Sequence, residues 1–389
     1  MSQATHRTAQ HPSAVTPRPR PGPVLAAGAI SLVAVVTAAV SLTRDGLFAP
    51  VDSAPARAVL SAADVTVAFL GLGVVGLLAG VTALARPQRG GIRVLSAVAV
   101  LEVLAAGLGL QSISTIALAG YLLAMALPLG LLALSVQAIR HYPRGRWLVL
   151  ALLAMAALWG AQTGALRPST VGDLAVKLAG GFGHNAGSLL IAVLVAAFTG
   201  CWAVLALRLL GPTRSARRLG DWCQTHRRGL TVLAALGPLP YALLRATWAT
   251  PWPLLSPDPS QLDPGTRLWG LLLGGAALLG AILTIGLIRP WSATFPRWFP
   301  WWAGRGVPVP VATVPGGVVA GVLCLSALPM LLLIFRPEPG SVFTDGSLLE
   351  KLGLAMVFPF WFWGPALALA LWGYARSRRD GQRASSTAA

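Results

Sequence analysis

Ten long apolar runs divide the chain, and the arginines between them fall almost entirely on one side of the alternation. The runs cover 24–43, 64–85, 94–110, 116–138, 147–166, 185–207, 230–248, 268–288, 309–335 and 351–374. The N-terminal tail, the segments 86–93, 139–146, 208–229 and 289–308, and the C-terminal tail together hold 22 of the 30 Lys+Arg. The other set, around 44–63, 111–115, 167–184, 249–267 and 336–351, holds seven, and Arg245 lies inside a run. Basic residues stay on the cytoplasmic side of a membrane, and here the bias repeats over every pair of spans. Roughly 20 apolar residues cross the ~30 Å hydrocarbon layer as a helix, and most of the runs reach that length. The expectation is an all-α protein, a polytopic transmembrane helical bundle of about ten spans, with N- and C-termini cytoplasmic.

Ten spans use more than half of the 389 residues and leave no room for a large soluble domain. A helical domain over 23–375 is expected between two disordered cytoplasmic tails, 1–22 and 376–389, which are polar and cannot bury apolar surface. The net charge of +18 is spread over six cytoplasmic segments and does not form one patch with interleaved stacking aromatics. It therefore points to anionic lipid head groups at the cytoplasmic face and away from nucleic acid. Segment 208–229 reads as an orientation-setting loop or, alternatively, as a short head-group helix from about Thr213 with Leu219, Trp222 and Cys223 on one side. The four tryptophans and four prolines of 289–308 predict a broken interfacial strap, since proline forbids one continuous helix there.

Close approach of helices in lipid relies on small residues. Gly76 and Gly80, Gly270 and Gly274, and Gly317 and Gly321 have GxxxG spacing, while Ser96, Ala99, Glu102, Ala106 and Gly109 make one small-residue face of span 3. Prolines interrupt four spans, at Pro128, Pro238 and Pro240, Pro315 and Pro329, and Pro359 and Pro365. The Gly237-Pro238-Leu239-Pro240 cluster reads as a functional break that exposes carbonyls, or as a plain kink. No internal repeat aligns convincingly.

The polar groups inside the runs carry the functional expectation. Glu102, flanked by Val100, Leu101, Val103 and Leu104, costs ~2.5 kcal/mol or more on insertion scales, so a role is the default hypothesis. It is either a proton- or cation-linked site or a structural hydrogen bond across the small-residue face. Arg245 shares a helical stripe with Tyr241 and Trp248, and with Trp252 if the helix runs past Pro251. Its guanidinium either anchors over those rings by cation–π contact or binds an anion in an outer cavity. The candidate ligand-binding residues are thus Glu102, Arg245, Tyr241 and Trp248, and an ion pair between Glu102 and Arg245 is a further option.

Other chemistries lack their parts. The three cysteines form no CxxC or Cys/His spacing for zinc, and no paired histidines for haem occur in the spans. No HExxH, GxSxG, Walker A or Rossmann glycine fingerprint appears, so catalytic residues, metal and cofactor are assigned as none.

GPLPYALLRATWATPWPLL (237–255) and FPRWFPWWAGRGVPVP (295–310) resemble segments in multi-pass membrane proteins of high-GC actinobacteria that lack an assigned activity. The excess of arginine over lysine, 28 to two, is in keeping with such a source. The resemblance covers about a fifth of the chain, implies an integral protein of the bacterial plasma membrane, and carries over no catalytic residues. Together these features predict a permease-like protein handling a small solute. The alternative is a non-catalytic membrane scaffold that docks a cytoplasmic protein partner through 208–229 and 289–308.

Overall fold

The computed structural model describes residues 21–43, 54–85, 89–142, 145–255, 262–295, 302–337, 343 and 346–387. In hydrocarbon a backbone must satisfy its own N–H and C=O groups, so each apolar run closes into a helix. The helices are α1 (Pro21–Thr43), α2 (Ala62–Ala85), α3 (Arg89–Leu104), α4 (Ser114–His141), α5 (Arg146–Thr163), α6 (Pro168–His184) and α7 (Ala186–Leu210). They continue as α8 (Arg214–Thr225), α9 (Arg227–Leu236), α10 (Leu239–Ala246), α11 (Pro264–Gly286), α12 (Val309–Phe335), α13 (Leu348–Val357) and α14 (Phe360–Thr387). Among the described residues, ten helical stretches are long and apolar enough to cross a membrane. α3 with its continuation, α9 with α10, and α13 with α14 each make one of the ten. The outward surface is apolar: α5 buries only Gly160, while Leu148, Met155 and Leu158 stand exposed along it. Such a surface needs lipid around it. The protein is an all-α polytopic membrane bundle.

The helix ends sort onto two faces. On one face, Arg376 near the end of α14 pairs with Asp221 of α8, Arg378 Nη2 donates to Val307 O ahead of α12 at 2.9 Å, and Tyr374 Oη donates to Ser292 O beyond α11 at 2.9 Å. On the opposite face, Lys177 of α6 pairs with Asp263 ahead of α11 at 2.8 Å, and Trp159 Nε1 donates to Ala249 O at 3.1 Å. The first face carries Arg214, Arg217, Arg218, Arg227 and Arg228, so the charge asymmetry of the sequence is an asymmetry of the fold.

Two apolar cores hold the bundle. One joins α1, α2, α3 and α7 through Ala27, Ala34, Phe69, Ala99, Phe198 and Trp202. Its tightest point is Gly76, where a Cβ would lie 2.5 Å from Ser31 Oγ and 2.8 Å from Trp202 Cζ2. Trp202 Nε1 donates to that same Ser31 Oγ at 3.2 Å, so a glycine, a serine and an indole lock three helices. The other core joins α9, α12, α13 and α14 through Ala234, Leu323, Ile334, Phe360, Leu367 and Leu371. Of the expected GxxxG pairs, Gly76/Gly80 sits on α1 and Gly270/Gly274 on α10, but Gly317 and Gly321 have no atom within 4 Å of a Cβ position. α12 instead approaches α14 through Gly316 and Gly364, which meet Leu371 and Cys324.

Several connections differ from expectation. The connecting segment 167–184 forms the helix α6 over Pro168–His184, tied to the start of α11 by the Lys177–Asp263 pair. Segment 208–229 contains α8, capped by Thr213 Oγ1 accepting from Ala216 N at 3.3 Å; Gly220 and Cys223 seat it on α14, while Leu219 and Trp222 stay exposed. The C-terminal segment from Arg376 is helical to Thr387 and not a disordered tail, because Arg376, Arg378 and Asp380 find partners on α8 and beside α12. Of the expected N-terminal tail, Pro21 and Gly22 belong to α1, and residues 1–20 lie outside the described residues. In 289–308 the described residues make a 3-10 turn at Pro290–Ser292 and an antiparallel bridge between Thr294 and Gly306, and the middle of the expected strap, 296–301, lies outside the described residues. Pro128, Pro315, Pro329 and Pro365 sit inside unbroken helices, whereas Pro238 and Pro359 mark true breaks.

Candidate functional site

Glu102 is fully buried, and among the described residues neither carboxylate oxygen has a hydrogen-bond partner. The small-residue face places it there: Ala99 and Ala106, one turn to either side, are also fully buried against α7. Three residues further on, the α-helical ladder of α3 gives way to a π-helical turn, Ala105–Leu110. Such turns add a residue, loosen the i→i−4 ladder and concentrate at functional sites. The extra residue also rotates the register. Gly107, not the expected Gly109, faces the neighbouring spans, with Leu325 Cδ2 of α12 3.0 Å and Thr199 Cγ2 of α7 3.2 Å from its Cβ position.

More unsatisfied polar atoms gather along this junction. Gln111 and Ser112 follow the π turn and are buried; Gln111 Oε1 accepts from Thr115 Oγ1 at 3.0 Å, but Gln111 Nε2 and Ser112 Oγ have no partner among the described residues. Buried polar atoms are normally paired with protein or ordered water, so a run of orphans marks a place where water or a ligand belongs. A cavity of ≈ 40 Å³ opens at the far end of the π turn, between Leu110, Val195 of α7 and Thr37 of α1. That volume exceeds what one water requires.

Tyr241, Arg245 and Trp248 do come together, on α10 and the 3-10 turn Thr247–Ala249 that prolongs it. Arg245 Nε donates to Tyr241 Oη at 3.0 Å, and its guanidinium carbon lies 4.0 Å from the Trp248 ring centre and 5.1 Å from that of Tyr241. α11 presents its glycines to this stripe: Trp248 lies on Gly270, and Arg245 Cβ is 2.6 Å from the Cβ position of Gly274. Trp252 leaves the stripe and is exposed, because the helix ends at Ala249 before Pro251. Arg267 secures that end, its Nη1 donating to Trp248 O at 3.2 Å and Thr250 O at 2.9 Å.

The ion pair between Glu102 and Arg245 is not formed. Glu102 belongs to the packing of α3 on α7, Arg245 to that of α10 on α11, and among the described residues no carboxylate pairs with either cation or acid.

The sequence also leaves unread how the two broken spans meet. Gly237, at the α9–α10 break, packs directly against Trp363, one turn beyond the α13–α14 break at Pro359. Pro359 cannot donate to Ala355 O; Trp361 Nε1 does so instead, at 3.2 Å. Trp363 Nε1 is buried without a partner among the described residues. Phe358 in the second break meets Tyr241 at a tilt, ring centres 5.5 Å apart, which links this crossing to the Arg245 stripe. Prolines in both spans were visible, but their mutual contact is a matter of packing. No group of three or more metal-ligating side chains occurs among the described residues. Comparison with protein-family models, curated proteins and solved structures finds no match for this chain.

Proposed function

We propose that the protein is a permease-like carrier of the bacterial plasma membrane, moving a small solute in a proton- or cation-linked cycle with Glu102 as the coupling group. Its basic face, with both chain ends, lies toward the cytoplasm and meets anionic head groups there, as the positive-inside bias requires. The observation that carries this reading is the unpartnered burial of Glu102. A structural hydrogen bond, the plain alternative, needs a donor or acceptor at the carboxyl, and none stands there among the described residues. An acid held in the middle of a span without a partner is costly to keep, whereas one that receives a proton or cation during a cycle has a reason to be there.

Other features of the bundle support such a device. The π turn three residues beyond Glu102 gives a loosened ladder, and elsewhere two mutually packed broken spans make a crossing of the kind that lines transporter sites. Glu102→Gln keeps the volume and removes the titratable oxygen. In cells screened for uptake, export and tolerance across a solute panel, this variant loses the solute phenotype conferred by the wild-type chain, while its melting temperature in detergent stays within a few degrees. Full retention of every phenotype by a well-folded Glu102→Gln protein rejects the assignment.

A further inference from the structure

We infer that Arg245, Tyr241 and Trp248 form an oxyanion-binding site, built for a carboxylate or phosphate carried on an apolar body. As the substrate class of the carrier it rests on the permease reading above; as a binding site it stands on its own geometry.

Arginine offers five N–H donors in a planar fork. In Arg245 one is used, the Nε bond to Tyr241 Oη at 3.0 Å. The four donors on the two terminal nitrogens have no acceptor among the described residues, and no carboxylate pairs with the group. Other arginines differ: Arg267 holds backbone carbonyls of Leu262, Trp248 and Thr250, Arg376 holds Asp221, and Arg378 holds Val307 O. Arg245 alone in this set keeps its fork open while lying inside an apolar span.

The fork is also immobilised. The side chain is bracketed between a ring one turn deeper, Tyr241, and a ring one turn further out, Trp248. Its stem is pressed on Gly274 and its stacking partner Trp248 on Gly270, so the head is held beside its own helix between the two rings. A guanidinium pinned through Nε and stacked on one face presents its terminal edge, the geometry that receives two oxygens of one carboxylate or phosphate. The side chains beside it are aromatic, Tyr241 in tilted contact with Phe358 at 5.5 Å between ring centres, which suits an apolar body behind the anionic head. Two sources share this chemistry: a free amphipathic carboxylate, and the phosphate of a membrane phospholipid.

The full chain, purified in detergent and stripped of lipid, is titrated with benzoate by calorimetry, and native mass spectrometry of the unstripped protein counts retained phospholipid. Saturable benzoate binding, weakened about tenfold in Arg245→Lys and abolished in Arg245→Gln, supports the site with a free carboxylate as its ligand. One retained phospholipid that Arg245→Gln loses, without benzoate binding, supports the same site filled by lipid phosphate. Tyr241→Phe, which frees Nε but keeps both rings, weakens whichever ligand binds by about threefold to tenfold and guards against misfolding of the arginine variants. Neither ligand bound, or either bound equally by wild type and all three variants, overturns the proposal. Binding is read on purified wild-type and Arg245 protein, while the permease reading stands or falls on the solute phenotype of Glu102→Gln cells, so the failure of one is distinguished from the failure of the other.

Discussion

Gly76 and Gly321 have the same sequence spacing around them and opposite physical meaning. A Cβ at Gly76 collides with Ser31 and Trp202, whereas one at Gly321 meets nothing within 4 Å. Gly76→Val therefore destabilises by about 1–3 kcal/mol, the usual cost of overpacking, and lowers the detergent melting temperature. Gly321→Val leaves it unchanged within a degree or two; equal melting of both variants would refute the packing of α1, α2 and α7. Glu102 teaches a related lesson. Its flanks announce a buried acid, but only the fold reveals that no partner reaches it, because partners come from helices far away in sequence. Arg245 was legible together with Tyr241 and Trp248, since all three lie on one short helical stripe. Its open fork was not, because that depends on what α11 fails to supply.

At the scale of elements, α6 packs on α11 through Thr170 and Leu174 at Gly265 and is fastened to it by an exposed clip with two functions. Asp263 Oδ2 accepts from Lys177 Nζ at 2.8 Å, while Oδ1 caps α11 by accepting from Thr266 N at 2.6 Å. These bonds hold the Asp263 carboxyl down at about 2, with Lys177 first among the causes, and the same contact raises the Lys177 ammonium. An unfolded aspartate titrates near ~3.9. The sign follows: the Asp263 contribution is whole above pH ~4 and is lost as pH falls from there toward 2. Exposed ion pairs are worth about 0–1 kcal/mol, so the bundle itself survives. Amide exchange in 168–184 should quicken, relative to its intrinsic rate, between pH 4 and 2 in the wild type and already be faster at pH 6 in Lys177→Gln; α6 protection that ignores both changes counts against the clip. The broken spans belong to this scale as well. Proline shows where a helix lacks a donor, yet Pro365 is accommodated inside α14 while Pro359 stands in the break between α13 and α14, where Trp361 Nε1 donates to Ala355 O and Gly237 packs on Trp363.

Over the whole molecule, the two faces make a direct prediction of orientation. Arg217 on α8 and Lys177 on α6 are both exposed and lie on opposite faces. A membrane-impermeant maleimide applied to intact cells should label Lys177→Cys, and should label Arg217→Cys only after permeabilisation. The native thiols compete little, since Cys223 is buried and Cys201 and Cys324 are half-buried within spans. The reverse labelling pattern would place the basic face outside and undo the proposed topology.

Span number, the approximate place of each span and the segregation of arginine onto one face were determined by sequence alone. The reason is that lipid acts on each segment separately: a helix enters hydrocarbon according to its own length and apolarity, and its orientation follows the charges beside it. Which glycines touch, which proline breaks a helix, which buried acid lacks a partner and which guanidinium keeps its fork open were decided only by tertiary structure. In an apolar helix every face looks alike to the surrounding lipid, so burial carries no periodic signal. A face becomes an interface only when another span closes on it.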